Sequence, residues 1–452
     1  MAHQVVVTEE RYIFRPQTKT KLFILLGAGI FLFVVGLIMA MYSEGKESHG
    51  AHGALHSQEL VASTQPEAAH AGEHAATGHE SKLWVKRLKT SLWMNNIYFL
   101  GFGLIGLFFV AIQYAAMAGW SAGVKRVALA FGNWIPIAGI LSLVLYFVVS
   151  GDVFHWTHSD LYHEGEHYDK LIAGKAPYFF WPLSGGSFPL FFIFRMVLFF
   201  GMWAWFFSLI KKNMVDEDIH GSNAYWYKNR GTSTWFLLFF AVSSSVCAWD
   251  WVMSIDTHWF STMFGWYVFA SWWVTGLAAI TLVVAYLKDA GYLKVVNANH
   301  LHDLGKFVFA FSIFWTYIWF GQYLLIWYAN IPEETVYFIE RMETSPYSWI
   351  FYLNLILNFV LPFLLFMTRD AKRQISMLKV VCLIIIVGHW FDFYNMITPG
   401  VMQQHGGVGL LEIGIALIFA AAVLLVTLSG LAKLPLFGKN DPMLEESLHH
   451  HI

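Results

Sequence analysis

Ionisable side chains inside long apolar stretches are costly, so they are the first places to look for chemistry. This chain has few of them. Arg195 stands in LFFIFRMVLFF, Asp250 in CAWDWVM, His389 and Asp392 in VGHWFDFYN, and Glu412 in GLLEIGI. Asp256 and His258 follow Asp250 by six and eight positions, and His302, Asp303 and Lys306 form a separate group in NHLHDLGK. Carboxylates and imidazoles among aromatics suit proton handling, because burial penalises the charged carboxylate and histidine exchanges a proton near neutral pH. The same groups could hold a quinol, whose hydroxyls need acceptors that also take protons and whose tail needs an apolar slot. Proton path and quinol pocket draw on one residue inventory, and both readings stay open. Other chemistries lack their residues. His389 is the only histidine in a predicted apolar core, whereas haem b takes two axial ligands. No C-x-x-C-H is present, and Cys247 and Cys382 lie singly in apolar runs.

The elements that must position these groups follow from composition. Of 452 residues 57% are hydrophobic and 13% charged, against roughly 25% charged in soluble domains. That excludes a soluble enzyme, and a net charge of −2 gives no basic excess for nucleic acid. Ten stretches are long enough to cross a bilayer: 22–42, 93–117, 127–149, 188–210, 233–253, 262–287, 305–329, 347–368, 375–397 and 408–431. With the N-terminus cytoplasmic, inner segments and the inner ends of the spans carry 19 of the 28 Lys and Arg, which predicts both termini inside. Arg195, Asp250, Asp256, His258, His389, Asp392 and Glu412 then gather toward the outer side, and His302, Asp303 and Lys306 mark the inner side. Trp93, Trp134, Trp181, Trp259, Trp327 and Trp349 stand near span ends, as interfacial anchors do. Residues 43–92, with His49, His52, His56, His70, His74 and His79, read as a flexible linker, and His449 to His451 as a tail of the same kind. Residues 150–187 read as a cap over the outer mouth.

Trp249-Asp250-Trp251 and Phe391-Asp392-Phe393 end the fifth and ninth spans. Two parallel four-helix units, spans 2–5 and 6–9, would place both carboxyls alike. The expected fold is all-α and integral to the membrane. Its parts are 1–92 (tail, first helix and His-rich loop), 93–253 and 254–397 (the four-helix units) and 398–452 (tenth helix and tail).

The strings AWDWVMSIDTHWFSTMFGWY (Ala248 to Tyr267) and HDLGKFVFAFSIFWTYIWFGQYLLIWYANIPEET (His302 to Thr335) resemble the ActF family, the second NrfD-like, quinone-binding membrane subunits of bacterial alternative complex III. The resemblance extends over nearly all the chain. It implies an NrfD/polysulfide-reductase-like fold in the bacterial inner membrane. It also implies a non-redox subunit of a respiratory quinol:cytochrome c oxidoreductase, with quinol as the candidate ligand and no metal on this chain. The implied partners are iron–sulphur and c-type cytochrome subunits carrying the clusters and haem c, the paralogous NrfD-like subunit, lipid, and a terminal oxidase as a further associate. Asp250, Asp256, His258, His302, Asp303 and Lys306 lie within the matched strings. Arg195, His389, Asp392 and Glu412 rest on position alone. Two other roles fit the same residues: a scaffold whose buried charges pair, for instance Arg195 with a carboxylate on a neighbouring span, and an ion-translocating subunit without a quinone site.

Overall fold

The computed structural model describes residues 9–55 and 81–451, without the side chains of 45–55. Ten helices are long and apolar enough to span a membrane, which makes this a multi-pass membrane protein. We number them α1 (Pro16–Leu55), α2 (Leu83–Ala115), α3 (Lys125–Val153), α4 (Leu190–His220), α5 (Asn223–Trp251), α6 (Phe264–Asp289), α7 (Ala298–Ala329), α8 (Ser348–Leu365), α9 (Ile375–Met402) and α10 (Leu410–Leu431). Among the described residues extended pairing is limited to one bridge, Arg11 with Pro435. Helices follow from the physics of the solvent: apolar side chains tolerate lipid, whereas backbone N–H and C=O groups must pair within the segment.

Helices α2 and α6 form the centre. The apolar window of each is 89% buried, against 17% for α1. Helix α2 packs against α3, α5, α6, α9 and α10, and α6 packs against α5, α7 and α9. Helix α4 lies between α3 and α5, and α8 between α7 and α9. Indole donors tie the centre together: Trp93 Nε1 donates to Trp251 O (2.9 Å), Trp272 Nε1 to Ile97 O (3.1 Å) and Trp390 Nε1 to Asn95 Oδ1 (2.9 Å). Helix α1 rests chiefly on α10. Small residues permit that close crossing: a Cβ on Gly36 would lie 2.2 Å from Leu411 N, and one on Gly414 would lie 2.4 Å from Phe33 N.

Several expectations change. Helix α1 continues to Leu55 and α2 begins at Leu83, so both ends of the expected linker are helical. Glu44 accounts for part of this, accepting from Leu83 N (3.0 Å) and Trp84 N (3.2 Å) at the positive end of α2. His49 and His52 belong to α1, while His56, His70, His74 and His79 lie outside the described residues. Trp93, Trp134 and Trp259 are buried rather than interfacial, and only Trp181, Trp327 and Trp349 of the six are exposed. The final tail is not loose: Leu436, Phe437, Leu444 and Ser447 are buried, and His450 Nε2 reaches Asp303 Oδ2 at 2.6 Å. Residues 150–189 do form a cap, in which buried Trp156 stacks on Phe179 at 3.9 Å and Lys175 Nζ donates to Thr257 O. We call this the capped end.

Candidate functional site

The sequence-predicted residues divide by the company they keep. Arg195, six residues into α4, makes a two-pronged pair with Asp250 near the end of α5: Nε to Oδ2 is 2.7 Å and Nη2 to Oδ1 is 2.9 Å. Its remaining prong donates to Tyr178 O of the cap (2.7 Å), and its guanidinium lies over the Tyr178 and Phe191 rings. Every oxygen of Asp250 is taken, and its charge is cancelled.

Asp256 does not join that pair. It accepts from Arg341 Nη2 at 2.8 Å, and Gly400 permits the approach, since a Cβ there would lie 2.5 Å from Asp256 Oδ1. Burial pushes the Asp256 carboxyl up from its ordinary range, and Arg341 opposes that shift. Arg341, in the short helix Pro332–Glu343, also donates to Asn395 O (2.8 Å) and Met396 O (3.2 Å). Asn395 O needs it, because Pro399 has no N–H to offer. His258 Nε2 meets Asp169 Oδ2 at 2.5 Å on the cap surface. Glu412 accepts from Arg87 (2.5 and 2.7 Å) and from Gly409 N (2.7 Å), capping its own helix. Toward the opposite end, Asp303 pairs with Lys306 (2.5 Å) and His450 (2.6 Å), while His302 is buried with Nδ1 unpartnered. Arg87, Asp169 and Arg341 stand in loops or at helix ends, where a charge in the sequence carries no signal.

Asp392 is different. It is fully buried on α9, ten residues and about 15 Å from the capped end of that helix. Oδ1 accepts from Asn354 Nδ2 (2.7 Å) and from the Tyr267 hydroxyl; Oδ2 accepts from Ser271 Oγ (2.7 Å) and Trp315 Nε1 (3.0 Å). Four neutral donors from α6, α7 and α8 converge on one carboxyl. Among the described residues the imidazole nearest to it is His389, one turn back on α9, with Nδ1 3.5 Å from Oδ2.

With Asp392 ionised, the hydrogen count sets the direction of this network: the one hydroxyl hydrogen of Ser271 goes to Asp392. His389 Nδ1, 2.9 Å from Ser271 Oγ, must then carry its own hydrogen and donate it. His389 Nε2 is buried and has no partner. Asn354 reaches Asp392 because Pro362 interrupts α8: without a proline N–H, residues Ile356–Val360 relax into a π turn. Asn358, inside that turn, donates to Asn354 Oδ1, and a Cβ on Gly388 would lie 2.2 Å from Asn358 Oδ1. Tyr267, Ser271, Trp315, Asn354 and Asn358 are neutral and do not stand out in the sequence; only the π turn's cause, Pro362 inside an apolar stretch, leaves a trace there. Among the described residues no group of three or more His, Cys, Asp and Glu side chains is placed to hold a metal ion.

The arrangement can exchange a proton at His389 Nε2 and pass it through Ser271 to Asp392. It does so without a permanent cation, so its net charge changes with each proton. No family model and no curated protein matches this chain.

Proposed function

We propose that this chain is the membrane subunit of a respiratory quinol:cytochrome c oxidoreductase of the alternative complex III type, and that the Asp392–His389 cluster is its proton-accepting centre. In this reading spans 2–5 and 6–9 are two NrfD-like four-helix units, both termini are cytoplasmic, and the capped end faces outward across a bacterial inner membrane. Iron–sulphur and c-type cytochrome subunits, the paralogous NrfD-like subunit and a terminal oxidase are the proposed partners. The observation that carries the reading is a buried carboxyl held by four neutral donors beside an imidazole with a free nitrogen, in a molecule whose other capped-end carboxyls from the candidate set are each paired with an Arg.

A quinol approaching His389 would give up two protons and two electrons. His389 Nε2 takes the first proton and passes it toward the capped side through Ser271 and Asp392; the second leaves by the same relay once the first has gone. In this reading the electrons pass to the proposed iron–sulphur and cytochrome partners. Toward the opposite end, α7 carries unpartnered Ser312 Oγ, about one turn from Trp315, and His302 Nδ1 beyond it. That row is the proposed second arm of the proton path. Arg195, Asp250, Asp256, His258 and Glu412 are assigned to scaffolding, on the strength of their pairings.

The test is Asp392→Asn in the assembled complex. General acid–base groups contribute about 10²–10⁴-fold, so quinol turnover and proton release should fall by at least about a hundredfold with assembly retained. Unchanged turnover would remove the proposed role. Ion movement by the isolated chain in liposomes, without quinol, would favour the transport reading instead.

A further inference from the structure

A second buried carboxyl lies at the end opposite the cap, and the proton-accepting centre does not use it. Helix α4 is 31 residues long, about 46 Å, whereas the hydrocarbon layer is about 30 Å. Its apolar stretch stops at Ile210, so Lys211 to His220 continue past it. Glu217 lies in this extension. It is 2% exposed, and its Oε1 has no hydrogen-bond partner.

The charges around it do not balance. Lys125 and Arg126, from the start of α3, are the buried cations here; Glu217, Asp218 and Asp441 are the acids. Lys125 Nζ is committed to Asp441 Oδ2 at 2.7 Å and sits over the Tyr114 ring. Arg126 is committed to Asp218 at 2.7 Å and to Pro435 O at 3.3 Å. Asn229 and Tyr114, the polar groups contributed by α5 and α2, bond to each other. Lys439 stands at the rim of a groove shared with Asp218, Lys433, Arg11 and Glu9. Glu217 is the acid left over.

The carboxy-terminal segment closes over this cluster. Asn440 Nδ2 donates to the backbone carbonyls of Glu217 and Asp218, both at 3.1 Å, and Asp441 supplies the ion pair to Lys125. Further along, Ser447 Oγ donates to Trp120 O (3.0 Å) and lies 2.9 Å from His300 Nε2. Removing water from Glu217 is therefore the work of the same segment whose Asp441 would be repelled by a charged Glu217.

We infer that Glu217 is a proton-binding site whose occupancy locks residues 435–448 onto this end of the bundle. With the proton bound, two cations face two carboxylates and the segment stays seated. When the O–H bond breaks and the proton leaves to solvent, three carboxylates share two cations. The segment then lifts, and water reaches the new charge. Burying an uncompensated carboxylate is what the closed arrangement cannot support.

The experiment is hydrogen exchange of the purified full-length protein in nanodiscs between about pH 6 and about pH 9, a range that brackets documented buried glutamates, with protection factors corrected for intrinsic exchange. Protection over 435–448 should fall about tenfold or more as pH rises, while α6 stays unchanged. Glu217→Gln, which keeps the shape and cannot charge, should remain protected throughout. Infrared difference spectra supply a readout that does not depend on the variant's folding. A protonated-carboxyl band should disappear in the wild type over the same range as the loss of protection. A flat wild-type profile, or a Gln variant that opens like the wild type, overturns the inference.

Discussion

Asp250 and Asp392 begin as near twins, each between two aromatics in the capped-end half of a helix, and they end in opposite environments. The helix that precedes each in the chain faces it at similar depth. In α4 the sixth residue is Arg195; in α8 the seventh is Asn354. The guanidinium takes both oxygens of Asp250 and fixes its charge. The amide takes one oxygen of Asp392 and leaves room for Tyr267, Ser271, Trp315 and His389. A carboxyl with an arginine holds a structure together. A carboxyl with neutral donors and one imidazole can change its charge. One facing residue separates the two.

The comparison breaks most severely at Arg195. Arg195→Ala leaves Asp250 buried and alone, which typically costs about 3–5 kcal/mol. The expected result is loss of thermal stability and of assembly together. Replacing both partners with apolar residues of similar volume, Arg195→Met with Asp250→Leu, should recover most of that loss, because the pair's value lies mainly in not being half broken. Thermal unfolding of the single and double variants decides it. A double variant as unstable as the single would mean that the pair does more than cancel itself.

A smaller effect is expected where the second site is held from outside the membrane. Arg341→Met removes the donor to Asn395 O and Met396 O, carbonyls of α9 one turn past Asp392. Leaving buried acceptors unsatisfied costs about 1–3 kcal/mol. Hydrogen exchange should accelerate in the last two turns of α9 and not in α5, with Asp256 also losing its partner. Equal acceleration in α5 would show that Arg341 supports the whole capped end rather than one of the two carboxyl sites.

Much of the frame is legible in apolar length: all ten stretches correspond to helices. The ends are not, because they are set by capping and close approach, as with Glu44 on α2 or the glycines between α1 and α10. The candidate site is half legible. Asp392 and His389 stand out because a charge in an apolar run is conspicuous, whereas Ser271, Tyr267 and Asn354 resemble ordinary helix residues until four helices bring them together. Charge alone also could not separate Asp250 from Asp392, since the deciding residue lies 55 positions from the one and 38 from the other.

The smallest expected effect tests whether the Arg195–Asp250 pair depends on the cap above it, through Tyr178 O. Asp169 anchors that cap. Burial works against its charge, but the Ile172 amide and His258 outweigh burial and hold its carboxyl below the usual range. A depressed carboxyl stabilises above its unfolded value, about 3.9, and that contribution is lost as pH falls through the lower folded value. Protease sensitivity of residues 150–189 should therefore rise below about pH 4. The pair is partly exposed, so the change should be slight. Asp169→Asn should show the looser cap at every pH while unfolding at nearly the wild-type temperature. If it instead unfolded as readily as Arg195→Ala, the cap would be part of the buried pair rather than a cover over it, and the contrast with Asp392 would have to include the loop.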